Sequence, residues 1–315
     1  MTLTAPLPTE VEGEAPPPSG EADVRKGGWS VTIIVLLIVL LWLIPTIGVL
    51  VTSFRPEAVV ESTGWWTAFA HIFDSSQWTL DNYSEALDTA GFQNAFLNSL
   101  AVTIPSVVIP ITIAAFAAYA FSWMEFRGRY VMFVAVVGLL VVPLQMALIP
   151  ILRLYTGGAQ IGGVPVFPDL DLNGTFLGIW LAHTAFGLPL AVYLLRNFIG
   201  SLPSSIIESA KIDGADHFTI FWRLVVPLSV PALAAFAIFQ FLWVWNDLLV
   251  ARIFLGGTED QRVLTIALQT LNGARGEDWH LLTSAAFISM ALPLLVFFAL
   301  QRYFIRGLTA GAVKG

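Results

Sequence analysis

The side chains that most often do chemistry are scattered along this chain. Its four histidines, His71, His183, His217 and His280, lie far apart, and none is at a metal-ligand spacing from another. The sequence has no cysteine, which excludes a disulfide framework and a thiolate metal site. It also contains no G-x-x-x-x-G-K-[ST] phosphate loop. We therefore expect no catalytic residue, no metal site and no cofactor bound by this chain.

One loop, residues 201–227, has a regular spacing of residues that start and end helices. Ser205 and Glu208 have the S-x-x-E spacing of a capping box, which starts a helix. Gly214 can end that helix in a left-handed turn, and Asp216 can cap a second helix. The apolar side chains are Ile206, Ile207 and Ala210 on the first helix and Phe218, Phe221 and Trp222 on the second. This pattern predicts an apolar face that needs a partner, or else Glu208 is only a helix cap and the loop only a connector.

A few polar side chains fall inside otherwise apolar segments. Asp247 is the only acidic residue in such a segment, where a charge at the bilayer centre costs about 2.5–3.5 kcal/mol. With Asn246 it could line a polar pathway, or it could make a structural hydrogen bond to a neighbouring helix or loop. Gln145, between two prolines, could bind the hydroxyl groups of a solute or satisfy carbonyls that the prolines leave free. His183 is best explained as a buried packing residue.

The elements that must position these residues are membrane-spanning helices. Only 12% of the 315 residues are charged, against about 25% in soluble domains, so most of the surface must face lipid. Residues 1–28 are rich in proline and glutamate and are predicted to be a disordered cytoplasmic tail. The apolar run that follows has about 21 residues, which suits a retained anchor better than a signal peptide. Six spans are predicted, at about 29–52, 96–122, 130–152, 175–196, 225–250 and 281–303.

The lysines and arginines are unequally divided between the two predicted sides of the membrane. One side holds ten, namely Arg25, Lys26, Arg127, Arg129, Arg196, Lys211, Arg223, Arg302, Arg306 and Lys314. The other holds five, namely Arg55, Arg153, Arg252, Arg262 and Arg275. This excess predicts that both termini are cytoplasmic. No basic run is long enough to suggest nucleic-acid binding, and the prolines within the spans predict bent helices around a cavity.

The loop at 201–224 resembles the cytoplasmic loop of permeases of ATP-binding-cassette (ABC) importers. That pattern is E-A-A, three residues, G, nine residues and I-x-L-P, and here Glu208-Ser209-Ala210, Gly214 and Leu224-Val225-Val226-Pro227 have the same spacing. Ser209, Leu224 and Val226 are conservative departures. The resemblance implies an all-α membrane protein with six transmembrane helices in the type I ABC importer permease architecture. It also implies a coupling helix that docks on a separate ATPase through Ser205, Glu208, Ser209, Ala210, Asp213, Gly214 and Pro227.

Other motifs resemble those of carbohydrate permeases, in particular the second permease of maltose-type transporters. They are Asn82-Tyr83, Phe96-Leu97-Asn98-Ser99-Leu100, Trp245-Asn246-Asp247 and the C-terminal tail 304–315. The last of these implies that Gly307, Thr309, Gly311 and Lys314 contact the ATPase. The outer loop, with Gly64-Trp65-Trp66 and Trp78-Thr79-Leu80-Asp81-Asn82-Tyr83, resembles the α-glucoside branch.

The resemblance implies a multi-pass protein in the cytoplasmic membrane of a prokaryote. It would form half of a pathway that moves an oligosaccharide or glucoside inward by alternating access, with Gln145, Asn246 and Asp247 as candidates along the path. The implied partners are a homologous second permease, two ATPase subunits that use ATP and magnesium, an extracytoplasmic solute-binding protein and the sugar. A homodimer and a non-sugar solute stay open as alternatives.

Two functions of other classes are weaker interpretations. An ion-coupled secondary transporter generally needs carboxylates at the membrane midplane and often internal repeats. This chain offers one peripheral carboxylate, Asp247, and no detectable repeat. A membrane-embedded enzyme needs a cluster of histidine or acidic side chains, and the sequence shows none.

Overall fold

The computed structural model describes residues 28–89, 91–271 and 278–312, with side chains described as far as Arg302. In chain order the helices are α1 (Trp29–Ser53), α2 (Glu57–Ser62), α3 (Asp81–Asp88), α4 (Phe92–Trp123), α5 (Arg129–Gly138), α6 (Leu144–Gly157), α7 (Phe176–Ile199), α8 (Ser204–Ile212), α9 (His217–Ile220), α10 (Val226–Trp245), α11 (Leu249–Phe254), α12 (Leu264–Leu271) and α13 (Trp279–Ala312). Strands β1 (Ala159–Ile161) and β2 (Val164–Phe167) form a hairpin between α6 and α7. Short 3-10 turns lie at Trp65–His71, Ser75–Gln77, Leu139–Val141 and Glu259–Gln261.

Within the described residues, five helices are long and apolar enough to cross a membrane, or six if a bent pair is counted as one span. The five are α1, α4, α7, the continuous helix His217–Trp245 and α13 as far as Arg302. In the fourth of these, a π-helical turn at Phe221–Val225 joins α9 to α10. The fold class predicted from the sequence is thus confirmed. Helix α13 runs on to Ala312, so much of the predicted C-terminal tail is helical.

The predicted third span is not one rod. The helix axis bends by 106° between Arg129–Val141 and Leu144–Gly157. Val142 between them has an extended backbone (φ −73°, ψ 116°), and Pro143 follows. Proline lacks the N–H that a continuing helix needs, and it disfavours the helical conformation of the residue before it. The bend is therefore encoded locally.

The predicted fifth span, 225–250, is wrong at its C-terminal end. Helix α10 ends at Trp245, and α11 begins only at Leu249. The Asp247 carboxylate lies in the break and accepts hydrogen bonds from the backbone N–H groups of Val250 (3.3 Å) and Ala251 (2.9 Å). An aspartate side chain that accepts from backbone N–H groups a few residues later competes with the carbonyl groups that would bind them in a continuous helix. The break follows from this residue.

The β-hairpin was not predicted. Gly162 and Gly163 form its two-residue turn, both with positive φ (60° and 83°). Two such residues fit a turn of the twist that connects antiparallel strands, and Gly-Gly between two apolar residues is its sequence signal. The Gly-Gly signal is present in this sequence. It was not interpreted as a hairpin because apolar segments of spanning length dominate the chain.

The contacts divide the chain into residues 1–47 and 48–315. In the described part of the first unit, the beginning of α1 is helical and its apolar side chains are mostly exposed. The second unit holds the packed core, in which α4, α7 and α10 are the central helices. Buried alanines, including Ala114, Ala118 and Ala191, lie where α4 packs on α7. Such small side chains let membrane helices approach closely.

A buried arginine organises the segment that follows α1. Arg55 is 1% exposed and donates hydrogen bonds to the carbonyl oxygen of Gly64 (2.9 Å) and to the hydroxyl of Thr63 (2.6 Å). The amide of Asn82 on α3 donates to the carbonyl oxygens of Ser53 and Arg55. The Asn82-Tyr83 motif therefore fixes α3 against this segment and supports the start of α4.

Candidate functional site

The loop between α7 and α10 contains the first predicted helix. Helix α8 begins at Ser204 after Pro203, and no side chain caps its N-terminus. The predicted capping box of Ser205 and Glu208 is therefore wrong. Pro203 occupies the N-cap position with an extended backbone (φ −60°, ψ 127°). Its side chain has no hydrogen-bonding group, so α8 begins without a side-chain cap. Glu208 is exposed and makes no hydrogen bond among the described residues, which leaves its carboxylate free for another molecule.

The turn at Gly214 has the predicted left-handed conformation. Gly214 has a φ of 81°, its N–H donates to the carbonyl oxygen of Lys211, and the N–H of Ala215 donates to that of Ala210 (2.9 Å). These two bonds define a Schellman motif, which closes a helix and satisfies its last carbonyl groups. The turn sets the direction in which the chain leaves α8.

Asp216 begins the second helix as predicted. Its carboxylate accepts a hydrogen bond from the backbone N–H of Thr219 (2.8 Å), the usual geometry of an N-cap. Hydrogen bonds from Thr219 hold the pKa of the Asp216 carboxyl below its ordinary value, with a smaller contribution from His217. The cap is therefore charged at neutral pH, next to the positive end of a helix.

The residues proposed for coupling share one property, which is access to solvent. Ala210 is half-buried, while the others are exposed: Ser205, Glu208, Ser209, Asp213, Gly214 and Pro227. Large apolar side chains lie among them, with Ile212 86% exposed and Phe218 66% exposed. This surface has the composition of a contact with another protein.

The opposite face of the loop is buried. Ile207 on α8 and Ile220 on α9 are 2% and 1% exposed, and with Phe221 and Val225 they belong to a core cluster that includes side chains of α4 and α7. Phe221 stacks on Phe116 of α4 with ring centroids 4.5 Å apart. The loop is thus packed onto two spanning helices rather than hanging free between them.

Sequence reasoning missed a hydrogen bond at the base of this loop. The hydroxyl of Tyr119 on α4 lies 2.9 Å from Nδ1 of His217, the first residue of α9. The two residues are 98 positions apart, so no local spacing could indicate the contact. It adds one directional contact to the apolar packing of the loop.

Of the polar residues of the spans, Asp247 and His183 are neighbours, whereas Asn246 and Gln145 lie in surroundings of their own. Asp247 caps α11, as described, and its carboxylate is 3.7 Å from Nε2 of His183. His183 is fully buried, as predicted, and packs edge-on against Trp243. Asn246 is exposed and donates to the carbonyl oxygen of Leu242. Gln145 is exposed at the start of α6, and its side chain makes no hydrogen bond among the described residues. These four residues do not form one cluster.

The predicted C-terminal contact lies largely outside the described side chains. Gly307, Thr309 and Gly311 fall on α13, where only the backbone course is described, and Lys314 lies outside the described residues. Their contact with an ATPase stays a prediction.

Residues 95–310 match the family described as binding-protein-dependent transport system inner membrane component. The chain belongs to this family. The match includes the loop at 201–227 and five of the six spans, so the resemblance drawn from Glu208, Gly214 and Pro227 is confirmed at the level of the family. Permeases of this kind are transport subunits, and a partner permease and an ATPase are implied by membership.

Individual permeases resemble the chain over nearly all of its length. The osmoprotective compounds uptake permease protein GgtD of Synechocystis sp. is 57% identical, over 90% of this chain and 91% of the relative. The alpha-glucoside transport system permease protein AglG of Rhizobium meliloti is 44% identical, over 91% and 97%. The trehalose transport system permease protein SugB of Mycobacterium tuberculosis is 30% identical, over 87% and 93%.

A solved structure has the same fold. A chain of a bacterial ABC transporter involved in the import of the acidic polysaccharide alginate superposes with a TM-score of 0.69 and 21% identity, covering 88% of this permease and 96% of that chain. A second structure, of a bacterial alginate ABC transporter in complex with a pentasaccharide-bound periplasmic protein, gives a TM-score of 0.60. The fold is that of an ABC importer permease.

Proposed function

We propose that this permease couples to a separate ATPase through residues 204–227 and moves a glycoside or a related osmoprotective compound inward. The observation that carries the proposal is the two-sided loop: an outer face that is exposed and partly apolar, and an inner face buried on α4 and α7. The family spacing of Glu208, Gly214 and Pro227 supports the assignment of the outer face to the ATPase.

The mechanism uses the rigid packing of this loop. When ATP closes the ATPase dimer, α8 moves with the surface on which it docks. Because Ile207 and Phe221 are buried against α4 and α7, the displacement is passed to these spans. The bundle then turns from inward-facing to outward-facing and accepts solute from a solute-binding protein. Packed interfaces suit this task because they shift between discrete arrangements and do not deform continuously.

The solute class rests on the relatives. Those reported above are named for osmoprotective compounds, alpha-glucosides and trehalose. Hydroxyl-rich solutes need hydrogen-bonding side chains along the path. Gln145 and Asn246 are exposed in the single chain. The Gln145 amide makes no hydrogen bond among the described residues, and the Asn246 amide donates one to Leu242 and keeps its oxygen for a solute or for the second permease.

The proposed assembly has one homologous second permease, two ATPase subunits and an extracytoplasmic solute-binding protein. We place it in the cytoplasmic membrane of a prokaryote with both termini inside, as the ratio of ten basic residues to five suggests. In this arrangement the ATPase uses ATP and magnesium, and this chain binds neither.

The test is the ATPase activity of the reconstituted complex, with and without the solute-binding protein. The panel contains α-glucosides, trehalose, β-glucosides and polyols, with a zwitterionic compatible solute as the non-sugar member. Stimulation by one glycoside or polyol, only with the binding protein present, is the expected result. Stimulation by the zwitterion alone would support the assignment as an importer permease and contradict a glycoside as its solute. A complex that hydrolyses ATP at the same rate with every solute would contradict the substrate proposal.

A further inference from the structure

The contact between Tyr119 and His217 lies where the coupling loop meets a spanning helix. Tyr119 is 4% exposed and belongs to the core cluster, whereas His217 is exposed at the start of α9. The tyrosine hydroxyl and the histidine Nδ1 are 2.9 Å apart, and the two rings meet edge to face with centroids 5.9 Å apart. A buried phenol therefore presents its hydroxyl to a loop side chain at the surface.

The histidine is held at a defined place in the loop. It directly follows Asp216, whose carboxylate caps α9, and the Schellman turn at Gly214 lies just before. The backbone from Ala210 to Thr219 is thus fixed by local hydrogen bonds. A force on α8 reaches His217 through this stiff segment.

The tyrosine is equally well held. Its ring packs against Phe221 with centroids 5.5 Å apart, and Phe221 in turn stacks on Phe116 one turn earlier on α4. Nearby, the indole N–H of Trp123 donates to the carbonyl oxygen of Ile199 and ties the same end of α4 to α7. Movement of the Tyr119 hydroxyl therefore requires movement of α4.

The other contacts between the loop and these helices are apolar. In the described part of the chain, the bond of Tyr119 with His217 is the one hydrogen bond between a side chain of residues 204–225 and helix α4 or α7. The apolar packing of Ile207 and Phe221 transmits displacement but has no directional preference of its own, whereas a hydrogen bond weakens steeply when its angle changes. This bond is thus the contact that fixes the register of the loop on α4.

We propose that Tyr119 and His217 are positioning residues for energy coupling. Their bond keeps α9 and the Gly214 turn in register with α4, so that displacement of α8 moves the spans without a change of register between the loop and α4. The inference rests on the proposed function, because it assumes that the ATPase docks on α8. It assigns a coupling role to two residues that the E-A-A pattern does not specify, Tyr119 outside it and His217 among its nine unspecified positions.

The test is the number of solute molecules imported per ATP hydrolysed, measured in proteoliposomes that hold the whole complex. Tyr119→Phe removes only the hydroxyl. Loss of one such bond corresponds to about a two- to ten-fold change in an equilibrium, and we expect the transport ratio to fall within this range while receptor-dependent ATP hydrolysis persists. Tyr155→Phe is the matched control, since it removes another buried hydroxyl, which donates to Gly178 far from the loop in sequence. Its ratio should stay at the wild-type value.

Histidine variants make the test specific. His217→Asn places an amide near the position of Nδ1 and should keep most of the wild-type ratio of solute imported to ATP hydrolysed. His217→Ala should lower this ratio as much as Tyr119→Phe does. In the double variant Tyr119→Phe/His217→Ala the ratio should fall no further than in either single variant. Thermal stability and the yield of assembled complex are measured in parallel, because a merely structural role would lower these and leave the ratio of surviving complexes unchanged.

The outcomes separate this inference from the function on which it rests. A wild-type complex without receptor-dependent transport would contradict the proposed function itself. A wild-type complex that couples, together with an unchanged ratio in Tyr119→Phe, would overturn only the role of the bond. Multiplicative losses in the double variant would also overturn it, since the two side chains would then act independently.

Discussion

At the scale of single residues, Gly214 shows a requirement of the backbone alone. Its φ of 81° lies in the left-handed region, and a Cβ added there would meet nothing within 4 Å. A substituted side chain is therefore opposed by its own backbone and not by its neighbours in this chain. For residues other than glycine this conformation costs about 1–2 kcal/mol, and asparagine tolerates it better than a β-branched residue.

We predict that Gly214→Val lowers solute uptake by the reconstituted complex far more than Gly214→Asn. Valine disfavours the left-handed turn that directs the chain from α8 to Asp216, so the docking helix would lose its orientation. Uptake and co-purification of the ATPase are the measurements. Equal activity of the two variants would show that the turn is not needed for coupling.

Asp247, a candidate for the solute path, makes its hydrogen bonds to nearby residues of its own chain. Its carboxylate accepts from two backbone N–H groups of α11, and its own carbonyl oxygen accepts from the Thr265 hydroxyl (2.7 Å). The sequence alone is compatible with a role in the solute path and with a structural hydrogen bond. The observed contacts favour the structural one, because both N–H groups belong to the first turn of α11, which begins two residues after Asp247.

Substitution of Asp247 should therefore affect stability first. Asp247→Ala removes the cap and is expected to cost about 1 kcal/mol, whereas Asp247→Asn keeps an acceptor and should cost only a few tenths. Thermal unfolding of the purified complex measures this, and solute uptake is followed beside it. If the Asp247→Asn protein unfolds at the wild-type temperature but no longer transports, the carboxylate has a role in the solute path.

At the scale of elements, the crossing of α7 and α10 depends on a glycine. A Cβ on Gly187 would lie 2.7 Å from the amide of Gln240, which is fully buried and donates to the carbonyl oxygen of Ser106 on α4. Three spans thus meet around one amide. A methyl group at position 187 would have to displace either the helix or the glutamine.

We expect Gly187→Ala to destabilise the protein by about 1–3 kcal/mol, the usual cost of overpacking. Gly138→Ala is the control, since its Cβ would meet nothing within 4 Å. The combination Gly187→Ala/Gln240→Ala should recover part of the loss by removing the opposing amide. Thermal unfolding in detergent compares the four proteins. If Gly187→Ala is as stable as Gly138→Ala, the helices are not held at this distance.

The same scale shows what a sequence can and cannot predict. The existence of the spans follows from apolar runs. The turn at Gly214 follows from the residue type, because glycine adopts a positive φ without steric cost. The bend at Val142 and Pro143 was visible as a proline but not as an angle of 106°, because a proline sets where a helix breaks and its neighbours set the direction. The bond of Tyr119 with His217 needs the packed fold, since two helices must first bring these residues together.

At the scale of the whole molecule, the orientation in the membrane is the property on which the coupling proposal depends. In a six-span protein alternate connections lie on the same side of the membrane, but this alternation does not fix which side is the cytoplasm. That assignment comes from the basic residues, through the preference of lysine and arginine for the cytoplasmic side. It requires that residues 201–227 lie inside and the segment between α1 and α4 outside.

The absence of cysteine from the sequence makes this orientation directly measurable. Ser201→Cys, which lies between α7 and α8 and outside the proposed docking face, and Ser84→Cys on α3 each place one thiol at an exposed position, with no other thiol in the chain to react. In intact spheroplasts a membrane-impermeant maleimide should label Ser84→Cys and leave Ser201→Cys unmodified, and permeabilisation should expose both. Labelling of Ser201→Cys from outside would mean that the loop lies on the side away from ATP, and this would remove the physical basis for coupling through α8.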